Sequence, residues 1–179
     1  MLHDVGEVLL EQEKIAGRVA QLGRKITTDY ADKDIVLLAA LKGAVVFLAD
    51  LMRHIELPVC LGFVSAASYG QGTASSGDVT INLDACGDLG GRDVLIVEDI
   101  VDSGRTLVAL VQAVRQLGAS SVKTCCLLDK PSRRVVDIEP DYWGFVIGDE
   151  FVVGYGLDYA ERYRNLPFVA VLKPQVHKQ

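Results

Sequence analysis

The stretch VLIVEDIVDSGRTL, residues 94–107, decides how this chain is read. An apolar run meets Glu98 and Asp99 directly. A third carboxylate, Asp102, follows three positions later, and Ser-Gly-Arg-Thr comes after it. A short apolar run bounded by a turn is the pattern of a buried strand, and the small residues behind it predict a tight turn opening a helix. Leu107, Leu110, Val111, Val114 and Leu117 then share one helical face, and Gly118 stands where a helix ends.

Outward from this stretch the pattern repeats. VKTCCLLD is the next strand on the C-terminal side. On the N-terminal side DIVLLAAL, AVVFLADLMRHI and VCLGFVSA make an earlier strand, helix and strand over residues 34–66. Two such units predict an α/β fold, a parallel sheet covered by helices, with ligands at the carboxyl ends of its strands. Ile15, Val19, Leu22 and Ile26 recur at helical spacing and predict a helix over residues 11–30. Past residue 140 the character changes. YWGFVIG, EFVVGYG and FVAVL are short strands separated by turns, expected to form a small hood above the sheet edge. The expected organisation is one domain over 1–179, with a core to about residue 140 and the hood over about 141–179.

Composition narrows the function. Against 24 acids the chain has 18 bases, a net charge of −6, which argues against a nucleic-acid scavenger and gives no support for binding an anionic membrane. The longest apolar stretch, Ile35 to Ala49, is 15 residues long and is interrupted by Lys42 and Gly43, short for a membrane span. The opening MLHDVGEVLLEQEK is too acidic for a secretory leader. Cys60, Cys86, Cys125 and Cys126 form no metal-like spacing and read as reduced, buried thiols in a cytoplasmic protein. Adjacent on one strand, Cys125 and Cys126 should face opposite sides.

The acidic turn carries the chemistry. Backbone N–H groups of Ser103, Gly104, Arg105 and Thr106 at a helix start favour an anion. Carboxylates repel phosphate, yet they accept hydrogen bonds from sugar hydroxyls and reach phosphate through Mg²⁺. A ribose 5-phosphate satisfies both halves. The bland alternative is that Asp102 or Ser103 merely caps the helix. Capping leaves Glu98 and Asp99 unexplained at the buried end of a strand. Residues 65–78, glycine-rich around a lone Tyr69, read either as a plain connector or as a lid.

VLIVEDIVDSGRT resembles the phosphoribosyl-pyrophosphate signature of the type I phosphoribosyltransferases. LKG at 41–43, ASYG at 67–70, LLDKPSRR at 127–134 and DEFVVGYGLDYAERYRNLP at 149–167 make it similar to the hypoxanthine-guanine branch over nearly the whole chain. The resemblance implies that family's fold, with a C-terminal hood and a flexible lid loop, and transfer of the phosphoribosyl group to a 6-oxopurine.

The same resemblance implies roles for individual residues. Glu98 and Asp99 would hold the ribose hydroxyls and a metal, and Ser103, Gly104, Arg105 and Thr106 the 5-phosphate. Asp102 would be the general base or acid at purine N7. Leu41, Lys42 and Gly43 would form the pyrophosphate loop, whose Leu–Lys peptide can be cis in the family, with Arg164 as a second pyrophosphate contact. Lys130 would donate to the purine 6-oxygen, Phe151 stack on its ring and the Val152 backbone read its edge. Asp158 would hold a second Mg²⁺ or the exocyclic edge of the base. Ser68 and Tyr69 would ride on the lid. Ala44, Arg105 and Ala67 depart from residues common at these positions, and none of them removes a catalytic group.

Taken singly, Lys42 and Lys130 also read as surface lysines, Phe151 as core, and Asp158 with Arg164 as a helix-spaced surface ion pair of little worth. The expected partners are small molecules, a 6-oxopurine and 5-phosphoribosyl 1-pyrophosphate, with no nucleic acid and no membrane, in a homodimer or homotetramer. Two rivals stay open: a nucleotide-sensing regulator of nucleic acid, disfavoured by the acidic balance, and an enzyme preferring xanthine.

Overall fold

The computed structural model describes residues 1–68 and 79–177. A six-stranded sheet forms its centre. In chain order its members are β2 (Ile35–Leu41), β3 (Val59–Ser68), β4 (Val79–Asn82), β5 (Asp93–Val101), β6 (Ser121–Asp129) and β7 (Tyr142–Val146), arranged β4-β3-β2-β5-β6-β7. All neighbours are parallel except β4, which runs antiparallel to β3.

Both faces of the central strands β2, β5 and β6 are largely buried, which is why they read as continuous apolar runs rather than alternating ones. On β2 the side chains of Ile35, Leu37 and Ala39 join one hydrophobic cluster, and those of Val36, Leu38 and Ala40 the other. Cys125 and Cys126 divide in the same way, as strand geometry requires. Burial raises the ionisation of both thiols far above the ordinary range. Cys60 departs from expectation. It is exposed, because β3 pairs with β4 only over its last four residues.

Helix α1 (Gln12–Asp29) buries Ile15, Val19, Leu22 and Ile26 against α2 (Val45–Met52), while α3 (Arg105–Gln116) buries Leu107, Leu110 and Val114 on the opposite face. Gly118, at φ +82°, supplies the left-handed residue that ends α3.

Two expectations shift. Residues 142–146, read as part of the hood, pair in parallel with β6 and complete the large sheet. The small sheet instead recruits the N-terminus: β1 (Val5–Leu10) pairs antiparallel with β9 (Val169–Leu172), which pairs with the two-residue β8 (Val152–Val153). Residues 65–68, read as the start of a loop, extend β3. Tyr69 and the remainder of that loop lie outside the described residues.

The strand order positions the site. From β2 the chain moves one way, through α2 to β3, and later returns on the other side of β2 as β5. The crevice between the carboxyl ends of β2 and β5 is therefore a topological switch point, where open α/β sheets bind ligands.

Candidate active site

Two sequence motifs meet at that crevice. β2 ends at Leu41 and leads into Lys42 and Gly43, and the Leu41–Lys42 peptide is cis. β5 carries Glu98 and Asp99 near its own end. Gly43 lies so close to Asp99 that a Cβ at position 43 would overlap the carboxylate. This crowding gives the glycine of LKG a physical reason.

Glu98 to Gly104, with Thr106 and Leu107, line a cleft of about 260 Å³. Glu98 is buried, and no ion pair reaches it or Asp99 among the described residues. Burial, with the Asp99 charge adding to it, pushes the Glu98 carboxyl well above its usual range. Burial also raises Asp99 to about 6, although hydrogen bonds from the backbone and the Arg164 charge oppose the shift. The turn beyond them is open to an anion. Gly104 sits at the N-cap with φ +83°, and no side chain caps the helix. Only a long 3.4 Å bond links the Arg105 amide to Ser103 Oγ. Capping does not account for Asp102 or Ser103.

This turn is braced from below by residues to which the sequence reading assigned no role. Arg134 donates to the carbonyls of Val101 and Asp102 at 3.0 and 2.5 Å and pairs with the buried Asp129. The Val135 amide bonds Ser103 O at 3.1 Å. Arg133 pairs with Asp102 at 3.1 Å and Asp149 at 3.2 Å. The only signal for these contacts was the charge density of LLDKPSRR directly after an apolar strand.

Lys130 is no surface lysine. It is 5% exposed and donates to the Glu150 carbonyl at 2.7 Å. That bond brings it to the loop before β8, where Phe151 is half exposed and Val152 buried. The Phe151 ring meets Tyr159 edge-on with centroids 5.7 Å apart, so Phe151 is not ordinary core.

On the opposite flank, Lys42 and Arg164 converge on one carboxylate, Glu161. Lys42 Nζ lies 2.9 Å from Oε2, and Arg164 Nη2 3.2 Å from Oε1. Arg164 also pairs with Asp158 at 2.9 Å and donates to Gly156 O at 2.8 Å. Asp158 and Arg164 thus do form an ion pair, each about a quarter exposed, but within a turn rather than on a helix. Lys42 holds the Glu161 carboxyl below its usual range, with Arg164 assisting. The sequence reading passed over Glu161, which sits on an exposed turn. Of the residues expected at the site, Ser68 ends β3, and Tyr69 alone falls outside the description.

Comparison with known proteins agrees with this geometry. The phosphoribosyl transferase domain model matches residues 6–160, and the chain belongs to that family. It is similar to the hypoxanthine-guanine phosphoribosyltransferase of Bacillus subtilis, at 49% identity over 178 residues covering 99% of both chains. It is also similar to the bifunctional protein TilS/HprT of Listeria monocytogenes, at 47% identity over 179 residues. There it spans the whole of this chain but only 28% of that protein. Among solved structures, a hypoxanthine phosphoribosyltransferase from Staphylococcus aureus superposes with a TM-score of 0.95 at 43% identity, covering 100% of this chain and 97% of that one. The expected type I fold is the fold observed. No helix among the described residues is long and apolar enough to cross a membrane.

Proposed function

We propose that this protein transfers the 5-phosphoribosyl group from 5-phosphoribosyl 1-pyrophosphate to hypoxanthine or guanine, as a purine-salvage enzyme of the cytoplasm. One observation carries the reading: the buried Glu98 and the half-buried Asp99, which form no ion pair among the described residues, border an uncapped helix start in a single cleft. Ribose hydroxyls suit Glu98 and Asp99, and the 5-phosphate suits the amides of Ser103, Gly104, Arg105 and Thr106.

In the reaction, purine N9 bonds to the anomeric carbon as the bond to pyrophosphate breaks, and Asp102 takes the proton of N7. Positive charge builds on the sugar in such displacements, and Lys42 and Arg164 take up the charge of the leaving group. For that they must exchange Glu161 for pyrophosphate. Lys130 donates to the 6-oxygen, Phe151 stacks on the ring, and the Val152 backbone reads its edge.

Magnesium fits Glu98 and Asp99, because a hard cation prefers oxygen and commonly combines one or two carboxylates with substrate oxygens. When bound, it supplies charge that offsets the pyrophosphate. Asp158 is the candidate second metal ligand, or the partner of the exocyclic edge of the base. The family resemblance supports a homodimer or homotetramer, which light scattering on the purified chain measures.

A purine panel tests the reading. A lysine has donors only, so it bonds a 6-oxo group and repels a 6-amino group. With the donor and Mg²⁺, hypoxanthine and guanine should exceed adenine by roughly 10⁴-fold in kcat/KM. Lys130→Met should cut oxopurine turnover by about 10²-fold and narrow that gap. Efficient use of adenine by the wild type defeats the assignment, and a dominant xanthine activity would move it to a neighbouring specificity.

A further inference from the structure

Arg133 stands on a 3-10 turn, Pro131–Arg133, directly after the buried Lys130. Its amide bonds the Lys130 carbonyl at 3.1 Å, so one short turn starting in proline orients both cations. Lys130 enters the interior, whereas Arg133 reaches along the rim of the cleft.

The partners of Arg133 come from two different loops. Its Nε lies 3.1 Å from Asp102 Oδ1 on the turn between β5 and α3. Its Nη1 lies 3.2 Å from Asp149 Oδ1 in the loop between β7 and β8. The residue after Asp149 provides the carbonyl that Lys130 binds, and the next is Phe151. The guanidinium therefore ties the acid–base carboxylate to the loop bearing the platform for the base. For stability such a bridge is worth little, since Arg133 and Asp102 are about half exposed and Asp149 more so. Geometry gives it another use. Asp102 has two oxygens, and no hydrogen bond reaches Oδ2 among the described residues. With Oδ1 engaged by Arg133 Nε while Nη1 of the same planar group holds Asp149, one orientation of the carboxylate is favoured and Oδ2 is left for the substrate.

We infer that Arg133 is a positioning residue for the transfer step, orienting Asp102 toward purine N7 and coupling that orientation to the loop that seats the base. The inference rests on the proposed role of Asp102. It concerns the reach between two groups, so its signature belongs in kcat and in the KM for purine, and not in binding of the donor.

Steady-state kinetics on Arg133→Met, Arg133→Lys and Asp149→Asn test it, with folding checked by thermal unfolding. Arg133→Met should lower kcat by about tenfold, because small misplacements of a reacting group are costly, while the KM for 5-phosphoribosyl 1-pyrophosphate stays within about twofold. Arg133→Lys, which keeps one bond of the fork, should recover part of the loss. Asp149→Asn should raise the KM for hypoxanthine about threefold with a smaller change in kcat. In an Asp102→Asn background, Arg133→Met should have no further effect on kcat. A folded Arg133→Met enzyme with wild-type kcat overturns the inference. So does the same tenfold loss in the Asp102→Asn background, or a loss explained by a lowered melting temperature. Absence of hypoxanthine turnover by the wild type would instead defeat the functional reading itself, before any variant is compared.

Discussion

The two flanks of the cleft hold their charges in opposite ways. At the end of β5, Glu98 and Asp99 form no ion pair among the described residues, and burial has driven their carboxyls upward against the pull of the Arg164 charge on Asp99. Across the crevice, Lys42 and Arg164 are already clasped by Glu161 and Asp158. The carboxylate flank is electrostatically unfinished and is completed by what a ligand brings. The cationic flank is finished internally and must let go of an anion to accept one. On the proposed function, a donor carrying sugar hydroxyls, a divalent ion and a pyrophosphate would resolve both conditions in a single binding event.

Silencing the unfinished flank should have the largest effect. Glu98→Gln combined with Asp99→Asn is expected to reduce kcat/KM for the donor by about 10²–10³-fold and to flatten the dependence on Mg²⁺. Kinetics across a magnesium titration measure it. A variant within tenfold of wild type would mean that the donor does not use this flank.

The same contrast predicts opposite responses to pH. Asp99 titrates near 6 in the folded chain against 3.8 for a free side chain. Between those values the unfolded chain has released a proton that the native state keeps. Stability of the ligand-free protein therefore falls as pH rises through this window. Asp99→Asn should remove the penalty, a gain on the order of 3 kcal/mol above pH 6 that disappears below pH 4. Urea unfolding across that range checks it. Glu161 has the reverse sign: Lys42 depresses its carboxyl, so its contribution is present above the unfolded value and is lost as pH falls.

The smallest effect sharpens the other flank. Glu161→Gln weakens the internal anion without touching the cations, and the KM for the donor should fall about two- to fivefold, in keeping with an exposed pair. A rise would show that Glu161 helps to hold the donor rather than standing in its place.

What the sequence disclosed follows from how local each signal is. Both strand–helix–strand units were legible because buried parallel strands are continuous apolar runs and α3 keeps one clean face. Glu98 through Thr106 were legible together because one turn carries them all. β1 was not, because its partner lies more than 150 residues away and six residues of weak alternation announce no pairing. YWGFV was misplaced for a related reason: a five-residue strand does not reveal which sheet it joins. Arg133, Arg134 and Glu161 act through contacts across the fold, and as exposed-looking charges they resembled ordinary surface. Lys130 was set apart from surface lysines only by the family resemblance, since a lone lysine at a strand end gives no hint of burial.

The crevice also has a seam that admits no extra atom. A methyl group at Gly43 would run into the Asp99 carboxylate, and one at Gly156, whose φ is +101°, would run into the Gly43 carbonyl. Asp99, the 41–43 loop and the turn carrying Arg164 are stacked in that order, with bare backbone as the only spacer. Their separations are thus set by atomic radii rather than by adjustable side chains. A methyl at Gly17 on α1, by contrast, would meet open space. An added side chain has room at the one and none at the others: along this seam a single carbon decides whether the parts still meet.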